Sequence, residues 1–177
     1  MSIAPLWATA VVERSIKRFG RPFRNSRTNS TVQGFSKDSE WLYQLSDNLA
    51  PGDVLHDTLD KNRTHVVAEL KLSKYNCHAA TLIEHRLRAT IKRKSTVKDS
   101  FGRTTAEPIT VAADVPIRIT DQKTATVPLG VDINRGDMVD INCGETYLVA
   151  AMGPHEGDGL LHLIVQLQDA GLIQALM

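Results

Sequence analysis

Apolar and polar positions along the chain follow an order that occurs twice. Each copy has a Gly-Asp pair, a short apolar run, a polar turn, and then a second and a third apolar run. The first copy occupies Gly52-Asp53, 54–55, 65–68 and 79–83, and the second occupies Gly136-Asp137, 138–139, 147–150 and 160–167. Short apolar runs bounded by Gly, Pro and Asp are typical of β strands, and self-similarity at a fixed spacing indicates repeated units. The pattern predicts a mainly β protein with two small antiparallel β-barrel or meander domains in tandem.

The spacing between the two copies changes along the repeat. The Gly-Asp pairs lie 84 residues apart, whereas the strands that follow them lie 82 residues apart. A duplication with small insertions in the turns explains this drift. Two unrelated hairpins that share a Gly-Asp turn are the alternative.

The N-terminal stretch has a helical pattern. Val12, Ile16 and Phe19 fall on one face at helical spacing, charged residues take the other face, and Gly20 ends the pattern. The polar and basic stretch 21–31 predicts a loop or arm. The chain is thereby divided into a short N-terminal helix with a basic arm at 1–30, a first β domain at 31–95 and a second β domain at 96–177.

The two β domains contain further short runs that predict strands. A basic stretch at 86–98 is interpreted as the linker between the domains. The predicted strands are 31–35, 54–57, 64–72, 77–87, 109–113, 115–119, 125–129, 138–141, 146–152 and 160–167, with 41–45 as a short strand or a helical turn.

Cysteine content and hydropathy indicate in which kind of cellular compartment the protein is expected. Cys77 and Cys143 are the only cysteines, and neither belongs to a Cys-x-x-Cys pair. Isolated thiols favour a reducing compartment over a disulfide-stabilised secreted scaffold. The longest apolar run is far shorter than the ~20 residues that span a bilayer, and the N-terminal stretch lacks the basic region and cleavage site of a signal peptide. We therefore expect neither a leader nor a membrane span.

The net charge of +1 conceals an uneven distribution of charge along the chain. Residues 1–98 contain 17 Lys and Arg against 9 Asp and Glu, and residues 99–177 contain 4 against 11. Unlike charges on two parts of one chain favour head-to-tail contacts between copies, which generate rings or filaments. The candidate partner-binding cations are Arg14, Lys17, Arg18, Arg21, Arg24, Arg27, Arg93 and Lys94. An unevenly charged but merely solvated surface is the alternative.

The sequence has no pattern that indicates catalysis or a cofactor. The six histidines are scattered, and none takes part in a His-Glu-x-x-His motif or in a zinc spacing with cysteine. His65, Cys77 and His78 are the nearest approach to a set of metal ligands. Nucleophile-elbow, P-loop and dinucleotide-binding motifs are likewise absent from the sequence. We expect no enzymatic activity, no cofactor and no metal site.

The order of residues in 111–167 resembles that of the head-closure and head–tail joining proteins in the necks of tailed bacteriophages. It runs as a polar strand, Gly136-Asp137, a short strand, Gly144-x-x-Tyr147-x-Val149, a loop and an apolar strand. We expect Tyr147 and Val149 to pack inside a small barrel. The stretch 31–83 is similar to a second copy of the same order.

The resemblance implies a non-enzymatic virion protein that is assembled in the host cytoplasm. Identical subunits would form a ring around the DNA channel, joining a portal or adaptor protein to tail proteins, with double-stranded DNA passing through and no membrane involved. The loops 98–108 and 153–159 are then candidates for partner contacts or a gate. The tandem arrangement and the basic helix depart from a one-barrel neck protein, and a tail or baseplate adaptor is the alternative.

A tandem oligonucleotide-binding β-barrel protein is the alternative from another functional class. The cations within 14–27 and 86–98 suit phosphate contacts, and small five-stranded barrels bind oligonucleotides. Proteins of that kind stack bases on exposed aromatic side chains. This chain has nine aromatic residues, few of them near the basic stretches, which favours the assembly interpretation.

Overall fold

The chain folds into two compact units. The computed structural model describes residues 5–37, 39–94, 100–102, 108–154 and 157–168. Unit 1 comprises Met1–His85 with Glu156–Leu160, and unit 2 comprises Arg86–His155 with Leu161–Met177. The main division therefore falls between His85 and Arg86, earlier than the predicted division at 95/96, and the helix and basic stretch at 1–30 belong to unit 1.

Unit 1 is a closed six-stranded antiparallel barrel preceded by a helix. Its strands follow the order β1-β2-β3-β6-β5-β4 around the barrel, with β4 pairing back to β1. The elements are α1 (Leu6–Phe19), β1 (Arg21–Asn25), β2 (Thr31–Lys37), β3 (Glu40–Tyr43), a 3-10 turn (Leu45–Asp47), β4 (Val54–Asp57), β5 (Thr64–Leu72) and β6 (His78–His85).

Unit 2 is built on a second closed six-stranded barrel with the same strand order. Its order is β7-β8-β9-β12-β11-β10, which equals that of unit 1 when β7 takes the place of β1. The strands are β7 (Leu87–Arg93), β8 (Ile109–Thr120), β9 (Thr124–Pro128), β10 (Met138–Ile141), β11 (Thr146–Met152) and β12 (Leu160–Leu167). The predicted fold class, two small antiparallel β barrels in tandem with a short N-terminal helix, is confirmed.

The two barrels also share their local irregularities. The ladder β5–β6 shifts register between Val67 and Glu69, and the ladder β11–β12 shifts between Val149 and Ala151. These two bulges occupy equivalent places. The turn between the paired strands differs in length, since it spans 58–63 in unit 1 and 142–145 in unit 2. This difference of two residues accounts for the drift in spacing from 84 to 82.

Two stretches that the sequence predicts to be irregular are strands. β1 lies in the predicted arm and β7 lies in the predicted linker, so both predictions are wrong. Charge hid them from the pattern of apolar residues, because Arg21 of β1 pairs with Asp57 of β4 and Arg93 of β7 pairs with Asp137 just before β10. The predicted strands 109–113 and 115–119 form the single strand β8, which passes through Asp114 at a φ of 54°.

Packing of the helix onto unit 1 follows the predicted face only in part. Val12 and Ile16 are buried and pack with Leu42, Cys77 and Ala79, as the helical spacing predicts. Phe19 is 67 % exposed, because the helix ends at that residue. The predicted loops 98–108 and 153–159 lie partly outside the described residues, and the tail 169–177 lies wholly outside them.

Candidate interaction surface

Arg27, one of the predicted partner-binding cations, is an exposed side chain that forms an ion pair with a buried carboxylate of unit 1. Its Nε and Nη2 donate to the two carboxylate oxygens of Asp53 at 2.5 and 2.9 Å. Asp53 is 3 % exposed and also accepts from the Nδ2 of Asn25 and the backbone N–H of Ala50. The pKa of Arg27 is raised by the hydrogen bond from its guanidinium to Asp53. Arg27 therefore fastens β1 to the turn that precedes β4.

Arg93 repeats this arrangement in unit 2. Its Nε and Nη2 both lie 2.9 Å from the carboxylate oxygens of Asp137, which also accepts from the backbone N–H of Asn134. The pKa of Arg93 is likewise raised, first by Asp137 and then by Asp132. We call this Arg–Asp pair with its Gly-Asp turn the turn clamp. It gives the Gly-Asp pairs of the sequence repeat a structural role.

The backbone of the two turn clamps is also equivalent. Gly52 donates its N–H to Val67 at 2.8 Å, and Gly136 donates to Val149 at 2.8 Å. Both glycines have a φ of 88°, a conformation that an L side chain disfavours. The glycine allows the turn, and the aspartate after it accepts from the arginine and from the backbone N–H three residues earlier, at Ala50 or Asn134.

Two further predicted cations are engaged within unit 1. Arg21 of β1 forms an ion pair with Asp57 of β4, whose side chain is fully buried. Arg24 donates to the Oδ1 of Asn29 at 2.6 and 3.0 Å across the β1–β2 turn. These cations serve the barrel, so they are not freely available to a partner.

The cations of α1 are placed differently. Arg14, Lys17 and Arg18 are exposed, and within the described ranges they form no ion pair. The guanidinium of Arg18 lies 5.3 Å above the ring of Phe19. Lys17 and Arg18 lie in the last turn of the helix, where positive charge is favoured by the helix dipole. Lys94 is also exposed, just beyond β7.

The N-terminal half of α1 exposes large apolar side chains. Leu6, Trp7 and Val11 are 90 %, 72 % and 53 % exposed. Together with Phe19 and the three helix cations they form a surface that is apolar at one end and basic at the other. We call it the helix surface. It is the candidate functional surface of unit 1.

The charge of the two units differs from the charge of the two halves of the sequence. Unit 1 contains 11 Lys and Arg and 11 Asp and Glu, and unit 2 contains 10 and 9. The uneven distribution found at 98/99 does not follow the unit boundary, because the basic strand β7 belongs to the otherwise acidic second unit. Local groups such as the helix surface, rather than whole units, carry the charge differences.

Unit 1 also contains a cluster of ionisable groups between β1, β4, β5 and β6. His65 lies among Arg21, Asp57, Arg63 and Glu84, and its pKa is lowered chiefly by burial, although the two carboxylates raise it. Burial raises the pKa of Asp57, but the Arg21 hydrogen bond and backbone N–H groups outweigh it and leave a net lowering. Burial outweighs the two carboxylates, so the net effect of this environment favours the neutral form of His65.

Metal and thiol chemistry find little support in the described part of the chain. There, no group of three or more His, Cys, Asp or Glu side chains is placed to hold a metal ion. The two cysteines are free thiols, Cys77 buried and Cys143 exposed. Burial raises the pKa of Cys77, which makes its thiol less reactive.

Comparison with known proteins gives no relative from which to transfer a function. The chain matches no protein-family model, no curated protein and no solved structure. No helix in the described residues has the length and apolar character needed to cross a membrane.

The exposed apolar residues of the helix surface were missed by the sequence analysis. Val12, Ile16 and Phe19 predict only one apolar face of the helix. Leu6, Trp7 and Val11 supply a second apolar group at spacings of one turn. A helix that is apolar on more than one side is the available signal, because one barrel can cover only one of those sides.

Proposed function

We propose that this protein is a non-enzymatic structural subunit that assembles with further copies of itself through the helix surface. The exposure of Leu6, Trp7 and Val11 on a single helix carries the proposal. Large apolar side chains grouped on a surface mark interaction sites. In an assembly these three side chains pack against a neighbouring copy.

Charge supports a second copy as the partner. The helix presents Arg14, Lys17 and Arg18 to solvent, and residues 99–177 contain 4 basic and 11 acidic residues. Complementary charge steers association and fixes the register of the contact. A helix of one copy against the acidic stretch of the next is a heterologous contact, and such contacts close into rings or extend as filaments.

The finer proposal is a neck or connector subunit of a tailed-bacteriophage virion. The repeat of the Gly-Asp barrel order and the resemblance of 111–167 to head-closure proteins support it. In that setting a ring of copies joins the portal or adaptor protein to tail proteins around passing double-stranded DNA. A position in the tail or baseplate uses the same contacts.

Light scattering tests the assembly directly. We expect the purified protein to have the mass of a homo-oligomer at low salt and a smaller mass at high salt, because exposed charge pairs are screened. Charge reversal of Arg14, Lys17 and Arg18 to Glu is expected to abolish the oligomer and to leave the circular dichroism spectrum unchanged.

The matched control reverses three exposed cations on other surfaces, Lys61, Lys123 and Arg135. It makes the same change in net charge and is expected to retain the oligomer. A wild-type monomer at every protein concentration, or equal loss of assembly in both triple variants, contradicts the role of the helix surface. Trp7→Ser tests the apolar end separately and is expected to weaken assembly at low and high salt alike.

A further inference from the structure

An apolar face on the outside of the unit 1 barrel is covered by a glycine–leucine pair that belongs to the same unit. Val66 and Ala68 of β5 point away from the barrel interior, because they alternate with the interior residue Val67. Leu160 packs against both of them, and all three are at most 5 % exposed. The N–H of Gly159 donates to the carbonyl oxygen of Ala68 at 2.7 Å. One leucine side chain and one backbone hydrogen bond thus cover this face.

The pair requires a glycine because it lies directly on the turn clamp of unit 1. A Cβ atom on Gly159 would collide with the backbone nitrogen of Gly52 and the carbonyl oxygen of Val67. These are the two heavy atoms that the hydrogen bond of this clamp joins. The second turn clamp repeats that bond between Gly136 and Val149, with the same length and the same glycine φ. Unit 2 therefore has the backbone surface that a second glycine of this kind fits.

Unit 2 also repeats the apolar face, but less of it is covered. By strand register, Leu148 corresponds to Val66, and Ala150 corresponds to Ala68 at the shared bulge. Leu148 and Ala150 are half-buried, and Ile164 on the neighbouring strand β12 is 46 % exposed. Among the described residues of unit 2, no Gly-Leu pair lies on this face. We call Leu148, Ala150 and Ile164 the open face.

The chain contains a second Gly-Leu pair in the stretch that follows β12. Gly159-Leu160 and Gly171-Leu172 are the two places in the sequence where leucine follows glycine, and an apolar residue comes next in both. Gly159-Leu160 is already buried in unit 1. Gly171-Leu172, in the stretch 169–177 outside the described residues, is therefore the pair that remains for the open face.

The length of chain before Gly171 favours a second copy as its source. The N–H of Gln168 donates to the carbonyl oxygen of Thr146 at 2.8 Å, and β12 there runs away from Val149 because it is antiparallel to β11. Val149 lies three residues along β11 from Thr146, which is about 10 Å of strand. Gly171 follows Gln168 by three residues, which reach at most ~11 Å when fully extended. No length remains for the chain to reverse its direction, so its own glycine does not reach the second clamp.

We propose that the open face of unit 2 binds the Gly171-Leu172 segment of a second copy of this chain. Gly171 lies on the turn clamp of unit 2, as Gly159 does on that of unit 1. Leu172 packs against Leu148 and Ile164. Burial of apolar area and a glycine that admits close backbone approach supply the affinity. The proposal rests on the proposed assembly of identical copies, but it uses a surface other than the helix surface.

Disulfide cross-linking between singly substituted chains tests the proposal. Chains with Leu148→Cys are mixed with chains with Leu172→Cys, both in a Cys143→Ser background that removes the exposed native thiol. Oxidation by oxygen with copper phenanthroline is expected to join the two chains, and peptide mass spectrometry is expected to place the bond between positions 148 and 172. Lys123→Cys, an exposed position outside the open face, replaces Leu148→Cys as the control. It is expected to link to position 172 at least about tenfold less, because it lacks the local concentration that binding provides.

Three outcomes overturn the proposal. The first is equal linking of positions 123 and 148 to position 172, and the second is an oligomer without a bond between positions 148 and 172. The third is a bond that forms mainly within single chains in the double variant Leu148→Cys/Leu172→Cys, which overturns the second copy as the source. A wild-type protein that is monomeric at every concentration overturns both this proposal and the proposed assembly.

The variant Gly171→Val tests the need for the glycine. It is expected to raise the dissociation constant of the assembly at least about tenfold by collision with the clamp backbone. Ala175→Val, the matched control in the same stretch, is expected to assemble as the wild type does, and equal assembly of the two variants overturns the fit of the glycine to the clamp. An oligomer that withstands charge reversal of the helix cations but forms the bond between positions 148 and 172 contradicts the helix surface alone.

Discussion

The barrels of the two units share one architecture but fill their interiors with different chemistry. Equivalent positions follow from the strand registers, in which Trp41 and Tyr43 of β3 correspond to Ala125 and Val127 of β9. By the same reasoning, Phe23 of β1 corresponds to Ala89 of β7. At these three positions unit 1 therefore has aromatic side chains where unit 2 has Ala or Val, although the unit 2 core also contains the buried ring of Tyr147. The difference shows that one barrel architecture accommodates an exchange of large and small side chains between neighbouring positions.

Gly34 illustrates this exchange. A Cβ atom at Gly34 would lie 2.6 Å from the Tyr43 ring, so the glycine makes room for the tyrosine. In unit 2 the same two positions hold Ile117 and Val127, both fully buried. A small residue beside a large one in unit 1 is replaced by two residues of middle size.

Three members of the ionisable cluster of unit 1 correspond to two aliphatic residues and a tyrosine in unit 2. Arg21 corresponds to Leu87 and Asp57 to Ile141, and His65 corresponds to Tyr147. The turn clamp, in contrast, is the same in both units. Interior chemistry has diverged, whereas the clamp that joins the first strand to the fourth has been retained.

The largest expected effect comes from removing the carboxylate of the turn clamp. Asp53→Ala and Asp137→Ala are each expected to destabilise their own unit by about 3 kcal/mol, because hydrogen bonds to a buried charge are lost. Asp53→Ala is expected to cost more, since it also leaves the fully buried amide of Asn25 without its acceptor.

Hydrogen exchange resolved by peptide measures this, because it reports the stability of each barrel separately. Glu13→Ala, an exposed change in α1, is the control and is expected to alter neither barrel. Equal protection in the Asp137→Ala variant and the wild type would show that the clamp does not stabilise unit 2.

Substitutions at the interior pair Gly34 and Tyr43 are expected to have the next largest effect on stability. Gly34→Ala is expected to destabilise unit 1 by about 1–3 kcal/mol through overpacking against Tyr43. The double variant Gly34→Ile/Tyr43→Val recreates the unit 2 pair and is expected to be more stable than Gly34→Ile alone. Urea denaturation of Gly34→Ile, Tyr43→Val and the double variant measures the coupling, and additive effects would contradict the exchange.

Acid is expected to weaken unit 1 more than unit 2. The pKa of His65 in the folded protein lies below its ordinary value of 6.5, so the neutral imidazole is the folded form. Its contribution to stability is fully present above 6.5 and is lost as the pH falls through the folded pKa. Asp57 adds a second loss at lower pH, below its ordinary value of 3.8.

Thermal unfolding between neutral and mildly acidic pH checks this dependence, with His65→Tyr as the variant that carries the unit 2 residue. His65→Tyr is expected to reduce the loss of stability on acidification. A pH dependence that is unchanged by this substitution would assign the effect to another group.

The smallest expected effect comes from a threonine side-chain hydrogen bond that occurs in both units. Thr64 Oγ1 lies 3.4 Å from the Nδ1 of His56, and Thr146 Oγ1 donates to the Oδ1 of Asp140 at 2.8 Å. Thr→Val at either position is expected to cost about 1 kcal/mol, with the larger loss at Thr146 because its acceptor is a carboxylate. Urea denaturation measures the loss of stability in the two variants. A larger loss in the Thr64 variant than in the Thr146 variant would contradict the prediction.

Much of the fold is predictable from local pattern. The strands at 54–57 and 64–72 have the predicted bounds, because apolar runs there are bounded by Gly, Asp and polar turns. β1 and β7 were not predicted as strands because their cations are balanced by carboxylates distant in sequence. Arg21 pairs with Asp57 and Arg93 with Asp137, and only the barrel closure brings these residues together.

The surfaces were harder to predict than the fold. Periodicity shows that α1 is amphipathic, but it does not show whether the barrel covers Val12 or Trp7.

The unequal turns between β4 and β5 and between β10 and β11 have a practical consequence for labelling the protein. The hydrogen bond that closes the turn is kept in both, from Asp57 to Arg63 and from Ile141 to Glu145, although the turn lengths differ. A turn that differs in length between the two units, while the hydrogen bond that closes it is kept, is suited to an inserted epitope. A short peptide placed after Lys61 is expected to serve as an imaging landmark for unit 1 in the proposed assembly.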